Sequence, residues 1–258
     1  NLKHNSKIIC GGLQTTANPL LVSEKFGMVD FLISGETEFV LPKLIDNIEI
    51  GGDGSKVSGV SFVKNLGVIK NHVKQEIISD MDTIGLYDYS LFDEQVFFRP
   101  YNGKVLKAID YEISRGCPFT CSYCVETVIQ KYYNFIETTP RGSLLEAKKY
   151  LRNKSAQHIF AEIKLIHEKF DVKLFRLQDT NFLTVNRQVL RELAELISKS
   201  DLDIIFYIET RPEGINKKSI DLLIDLKVDG VGMGIELATQ SFREERLNRF
   251  SNQEAIEN

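Results

Sequence analysis

The sequence predicts an α/β protein with parallel strands, and three observations carry that prediction. Short apolar runs alternate with stretches of helical periodicity from the front of the chain onward. The joints between them are short and contain glycine, the habit of strand–helix–strand units. In the second half, apolar runs starting at Val172, Leu202 and Val228 recur about every 30 residues, the length of one strand-plus-helix unit.

Taken in order, Lys7-Ile8-Ile9-Cys10 is an apolar run stopped by Gly11-Gly12 and reads as a buried strand ending in a tight turn. Asn18-Pro19 breaks the chain, and residues 20–26 suit a short helix. Residues 29–33 form a second strand, closed by Ser34-Gly35-Glu36. Phe39, Val40, Leu44, Ile45 and Ile48 then recur at helical spacing. Residues 51–102 differ. They hold the loop Gly51-Gly52-Asp53-Gly54, a hairpin with arms at 57–63 and 68–69, and an acidic, aromatic stretch from Ser79 to Pro100. They are expected to be a connector lying over the neighbouring domains. Beyond Lys107 the regular repeat sets in. Strands are expected at 109–114, 172–177, 202–208 and 228–235, with helices at 156–170 and 187–199. Ile159, Ile163, Ile166 and Phe170 share one face of the first helix, and Val189, Leu190, Leu193 and Ile197 one face of the second. Such a repeat builds a (β/α) barrel or an open parallel sheet, and either places chemistry at the carboxyl ends of the strands.

Composition narrows the class. The 258 residues hold 32 Lys+Arg against 36 Asp+Glu, a net charge of −4, with 43% hydrophobic and 26% charged residues. That mix excludes a disordered tail or a collagen-like repeat. No apolar run approaches the ~18 residues of a membrane span. The mild acidity argues against a nucleic-acid surface.

The cysteines are the most informative residues. Of Cys10, Cys117, Cys121 and Cys124, three fall in the segment Arg115-Gly116-Cys117-Pro118-Phe119-Thr120-Cys121-Ser122-Tyr123-Cys124, directly after an expected strand. Three thiolates in one loop can wrap one metal centre. A structural zinc site would want a fourth Cys or His nearby, yet no His lies between His72 and His158. Disulfides would leave an odd thiol. Iron–sulfur clusters are held by thiolates, normally four, so three would leave one iron open.

The C-x3-C-x2-C spacing, with aromatic Tyr123 before the third Cys, resembles the radical S-adenosylmethionine (SAM) superfamily. The resemblance implies that Cys117, Cys121 and Cys124 hold a 4Fe–4S cluster whose fourth iron binds SAM. One electron then splits SAM into methionine and a 5′-deoxyadenosyl radical that takes hydrogen from a substrate. It also implies that Phe119 and Tyr123 flank the cluster and the adenine, with simple loop packing the alternative for both. At the next strand ends, Gln178 and Asp179 are candidates for contact with SAM, a helix cap near Thr180 and Asn181 being the plain alternative. Arg211 suits the SAM carboxylate or a salt bridge with Glu209 or Glu213. Glu236, in Gly232-Met233-Gly234-Ile235-Glu236, suits the ribose or methionine end, or a structural ion pair.

The front of the chain resembles the end of a cobalamin-binding domain of Rossmann type, with Gly11 and Gly12 beside the nucleotide tail and Gly35 and Glu36 in the next loop. The Asp-x-His-x-x-Gly loop of that family, and the Ser-x-Leu segment that follows it there, are not found at the front of the chain, and His4 is not in such a context. The expected fold is therefore the C-terminal portion of a Rossmann-like cobalamin-binding domain (1–50), the connector (51–102) and a partial (β/α)6-type radical SAM barrel of four strand–helix units (103–258). Both ends are expected to be truncated. The implied function is hydrogen abstraction on a small-molecule or peptide substrate, with cobalamin-dependent C-methyl transfer. An electron donor such as flavodoxin or ferredoxin and a cytoplasmic setting go with it. Ring formation or rearrangement without methyl transfer is the alternative enzyme. A non-catalytic iron–sulfur protein is the alternative of another class, though an electron carrier would want a fourth Cys near the loop.

Overall fold

The computed structural model describes residues 6–64, 67–70, 73–251 and 256, so the last part of the polar C-terminal end lies outside the described residues. The chain divides into two compact units: residues 1–79 with 123–136, and residues 80–122 with 137–258.

The first unit opens with β1 (Ile9–Cys10), α1 (Leu13–Ala17), α2 (Pro19–Lys25), β2 (Phe31–Ile33), α3 (Val40–Glu49), β3 (Val60–Lys64) and β4 (Gly67–Lys70). α4 (Val125–Tyr132) returns to it later in the chain. Among the described residues its sheet runs β1-β2-β3-β4, with β1–β2 parallel and the rest antiparallel. β2 explains why the sheet has two covered faces. Phe31 and Ile33 pack with Val40, Leu44, Val57 and Val60, while Leu32 packs with Val22 and Val29 on the other side. A strand buried on both faces must be apolar at every position rather than at alternate ones. α2 starts where the sequence breaks: Asn18 accepts from the Leu21 N–H (3.0 Å), and Pro19 occupies the first turn, where its missing N–H costs nothing.

The hairpin assigned to a connector instead extends this sheet, because Phe31, Leu32 and Ile33 pair with Phe62, Ser61 and Val60. The remainder of the expected connector, from Asp80, belongs to the second unit. Its strand β5 (Phe98–Tyr101) hairpins onto β6 (Lys104–Tyr111) through Asn102-Gly103, both at positive φ, the mirror-turn chemistry that matches strand twist. The strand expected at 109–114 therefore begins earlier and ends at Tyr111.

The second unit continues with β7 (Ser114–Arg115), α5 (Ala147–Tyr150), β8 (Arg152–Asn153), α6 (Ala156–Phe170), β9 (Leu174–Leu177), α7 (Arg187–Ser198), β10 (Ile205–Thr210), α8 (Lys217–Asp225), β11 (Val228–Met233) and α9 (Gln240–Leu247). Among the described residues the main sheet is ordered β11-β10-β9-β6-β5, parallel except at β5. One face carries the core. Ile109, Tyr111, Phe175, Leu177, Phe206 and Ile208 meet Ile159, Ile163, Ile166, Leu190, Leu193 and Ile197. Each such side chain is worth about 1.5–3 kcal/mol on burial. α6 is bounded by its own chemistry: Ser155 accepts from the His158 N–H (3.2 Å), and Asp171 closes it in the left-handed conformation. The opposite face is polar. Arg176 lies 3.3 Å from Asp110, and Gln178 donates to Asp110 (2.9 Å).

A loop of the first unit makes a sharp demand on sequence. Gly35 sits at φ +88, and a side chain there would strike the Gln75 amide and the Tyr133 hydroxyl. Gly35→Ala is expected to lower the unfolding free energy by about 1–3 kcal/mol. Urea unfolding reads this as a lower midpoint at unchanged slope. An unchanged midpoint would show that the packing around Gly35 tolerates a methyl group.

Candidate active site around the cysteine loop

The cysteine loop leaves the carboxyl end of the second unit's sheet. Its entrance is fixed by a buried polar cluster. Glu162 of α6 accepts from the Tyr111 hydroxyl at the end of β6 and from the Lys154 ammonium just beyond β8. Lys154 and Glu162 are both buried, so each charge depends on the other. β7 then pairs with β8, Ser114 opposite Asn153 and Arg115 opposite Arg152. Gly116 follows at φ +93. A Cβ there would lie 2.7 Å from the Tyr150 carbonyl oxygen, so the residue before Cys117 must be glycine for the chain to pass.

From Cys117 to Ser122 the loop has no helix of its own and takes its hydrogen bonds from two other segments. The Thr120 N–H donates to the Gly142 carbonyl (2.9 Å), and the Leu144 N–H to the Pro118 carbonyl (2.7 Å). Behind α9, the Asn248 amide donates to the Thr120 carbonyl and hydroxyl oxygens (2.9 Å each), and the Ser122 N–H donates to the Leu247 carbonyl (2.9 Å). Cys117 and Cys121 are buried in this frame. Cys124 is the residue that starts α4 in the first unit, at the positive end of that helix, where a thiolate is favoured. Among the described residues no cysteine is in a disulfide.

Arg211, just past β10, is turned onto the loop. Its Nη1 lies 3.4 Å from Cys121 Sγ, and its guanidinium carbon lies 3.8 Å from the centroid of the Phe119 ring. Nε and Nη2 donate to the Glu213 carboxylate at 3.1 and 2.7 Å. Burial opposes the charge of Arg211, but Glu213 and the thiols of Cys121 and Cys117 outweigh it and raise its pKa. Burial likewise opposes the charge of Glu213, and hydrogen bonds from Arg211 and Ser251 hold its carboxyl below the ordinary range. The salt bridge to Glu213 foreseen from the sequence is present; the guanidinium fork is committed to it.

Asp179, after β9, is 3% exposed. Its Oδ1 accepts from the Ser114 hydroxyl, and among the described residues its Oδ2 has no hydrogen-bond partner. Burial, opposed by hydrogen bonds from Ser114 and Ile113 and reinforced by the charge of Glu112, pushes its pKa up to about 7. It is no helix cap: Asn181 precedes a short turn without capping it and accepts instead from the Thr210 hydroxyl (2.8 Å). Gln178 is turned to Asp110. Glu236, at φ +72, lies 3.8 Å from buried Arg249, which also donates to the Gly234 carbonyl. Tyr123 is half-exposed and belongs to the first unit.

In that unit, space above Gly12 is open: a Cβ there would meet nothing within 4 Å. Gly11 lies against Thr37. Gly35 and Glu36 are spent internally. The Gly35 N–H donates to Thr16 Oγ1 (2.7 Å), the Glu36 N–H to the Tyr133 hydroxyl (2.8 Å), and the Glu36 carboxylate accepts from the Ile78 N–H (2.8 Å). Glu213 was foreseen only as a partner of Arg211, and Ser114, Asn248 and Ser251 were not foreseen as members of the site. These three act through contacts made across long stretches of chain, which spacing does not reveal.

The donor set fits an iron–sulfur cluster: three cysteines in one loop, two of them buried in a fixed frame with a cation against one sulfur. Among the described residues, no three His, Cys, Asp or Glu side chains are gathered as a site for a single metal ion.

Over residues 111–258 the chain matches the radical SAM superfamily. It is 24% identical over 242 residues to an uncharacterized methyltransferase of Pyrococcus horikoshii, covering 93% of this chain and 47% of that protein. It is 29% identical over 211 residues to the anaerobic magnesium-protoporphyrin IX monomethyl ester cyclase of Synechocystis sp., covering 82% of this chain and 38% of the cyclase. The solved structure of the radical SAM methyltransferase TsrM from Kitasatospora setae, with cobalamin and a [4Fe-4S] cluster bound, superposes with a TM-score of 0.70 at 16% identity. That match covers 98% of this chain and 47% of TsrM, and shows a shared fold. The chain thus spans about half or less of the length of these relatives.

The folded protein holds the Asp179 proton up to about pH 7, whereas an unfolded chain releases it near its ordinary value of 3.8. Stability from this group is therefore full at low pH and is lost progressively as pH rises through that window. Asp179→Asn is expected to flatten the dependence of unfolding free energy on pH between about 4 and 7. Urea titrations at pH 4.5, 6 and 8 check this; an identical slope with pH in both proteins would contradict the assignment.

Proposed function

The chain belongs to the radical SAM superfamily, and on that premise we propose that it carries the cluster and SAM site of a cobalamin-dependent radical SAM C-methyltransferase. The observation that carries the reading is the cysteine loop, held rigidly at the carboxyl end of a parallel sheet. Cys117, Cys121 and Cys124 are its cluster ligands. The bound cluster would supply one electron to SAM, yielding methionine and a 5′-deoxyadenosyl radical that removes a substrate hydrogen.

The chain's own residues bind and orient. The buried Oδ2 of Asp179 is an acceptor in search of a donor, and the SAM amino group supplies one. Ser114 holds the other carboxylate oxygen and so fixes the direction of Oδ2. Gln178, Glu236 and Arg211 already have protein partners, so Asp179 is the residue we assign to SAM first. In the first unit, the open backbone at Gly12 suits a close-lying cobalamin, with Gly11 beside it. The internal bonds of Gly35 and Glu36 favour a role in shaping that loop rather than in touching the corrin. A reduced electron donor of flavodoxin or ferredoxin type, a small-molecule or peptide substrate and a cytoplasmic setting go with this reading. Among the described residues no helix is long and apolar enough to cross a membrane.

Similarity to the ester cyclase favours a second reading, ring formation by the same radical without methyl transfer. Measurements on the reconstituted protein test the proposal. Anaerobic reconstitution should give about four iron and four sulfide per chain, and dithionite with SAM should release 5′-deoxyadenosine. A protein with a full cluster that releases none would overturn the reading. Cys121→Ala should lose most of its iron, and full iron content would contradict the ligand assignment. Corrin absorbance, and transfer of label from methyl-labelled SAM to product, separate methyl transfer from ring formation.

A further inference from the structure

The mechanism above leaves Arg211 without a role, although it is among the most committed side chains of the site. Its side chain is only 8% exposed. One edge of the guanidinium faces Glu213, at 2.7 and 3.1 Å. Its guanidinium carbon lies over the Phe119 ring. Nη1, the nitrogen outside the carboxylate fork, lies 3.4 Å from Cys121 Sγ, within range of an N–H···S hydrogen bond. Ser251, fully buried, accepts from Nη2 (3.4 Å) and donates to Glu213, which locks the carboxylate in turn. An arginine meant to clamp a free carboxylate would keep its fork open, whereas this one has closed its fork on Glu213 and turned its remaining nitrogen to a sulfur.

We propose that Arg211 is a positioning residue that sets the reduction potential of the cluster through its hydrogen bond and charge at Cys121, with Glu213 and Ser251 holding it there. The proposal rests on the radical SAM reading. Hydrogen bonds to ligand sulfurs and nearby charge are the levers by which a protein moves such a potential. A cation stabilises the reduced cluster, which carries one more negative charge, and the effect is strong where water is excluded. Glu213 returns part of that charge. The step is a one-electron reduction of the cluster, with the electron coming from an external reduced donor.

The test is an anaerobic redox titration of the reconstituted holoprotein, followed by the electron paramagnetic resonance signal of the reduced cluster, without SAM. Arg211→Met is expected to move the midpoint to a more negative potential. Glu213→Gln, which keeps an acceptor for Arg211 and removes the opposing charge, is expected to move it to a more positive one. Midpoints equal to that of the parent protein, at equal iron content, or shifts of the same sign in both variants, would overturn the role of Arg211. Opposite shifts are not what a merely structural role produces. Should Arg211→Met fail to keep its cluster, the shift in Glu213→Gln decides the matter. A parent protein that takes up no 4Fe–4S cluster would instead overturn the functional reading on which the inference stands.

Discussion

A loop that carries reactive thiols cannot take its rigidity from a ladder of its own, because regular structure would point its side chains to a repeating pattern rather than to one centre. Every backbone group of such a loop must still find a partner. Here the partners are borrowed from residues 142–144 and 246–248, reached from far along the chain. Gly116 admits the loop by passing under the Tyr150 carbonyl, and the Lys154–Glu162–Tyr111 cluster fixes the strand end from which it departs. The core of the second unit is thus organised to hold a short irregular segment still.

An ion pair and a lone carboxyl group border that segment, and their burial is answered differently. Arg211 and Glu213 neutralise one another and share hydrogen bonds, so Arg211 stays charged while buried and Glu213 while partly buried. Asp179 has the Ser114 hydroxyl on Oδ1 and, among the described residues, no hydrogen-bond partner on Oδ2, and it answers burial by holding its proton. A paired charge is suited to a permanent electrostatic task. A carboxyl with a vacant acceptor is suited to receiving a cationic ligand, whose arrival would restore its charge.

Much of the fold was legible in the chain because its signals are local. The α6 helix, with Ser155 before it and an apolar face of Ile159, Ile163 and Ile166, begins and ends as its periodicity predicts. So do the strands of the repeat, to within a few residues. β5 was missed although Asn102-Gly103 is a strong hairpin signal, because its flanking residues lack apolar alternation: β5 is half exposed along its length. The hairpin β3–β4 was recognised but placed in a connector, since pairing with β2 depends on a contact across some 30 residues rather than on its own pattern.

The sequence by itself determined the cysteine motif, the strand it follows and the family it belongs to, because ligand spacing and strand–helix rhythm are short-range properties. Only the tertiary structure decided which site residues are still open to a ligand. It closed Arg211 on Glu213 and Cys121, spent Gly35 and Glu36 on Thr16, Tyr133 and Ile78, and left Oδ2 of Asp179 unanswered. The physical reason is that a side chain's chemistry depends on its desolvation and its nearest charges, and these are set by residues brought near only when the chain folds.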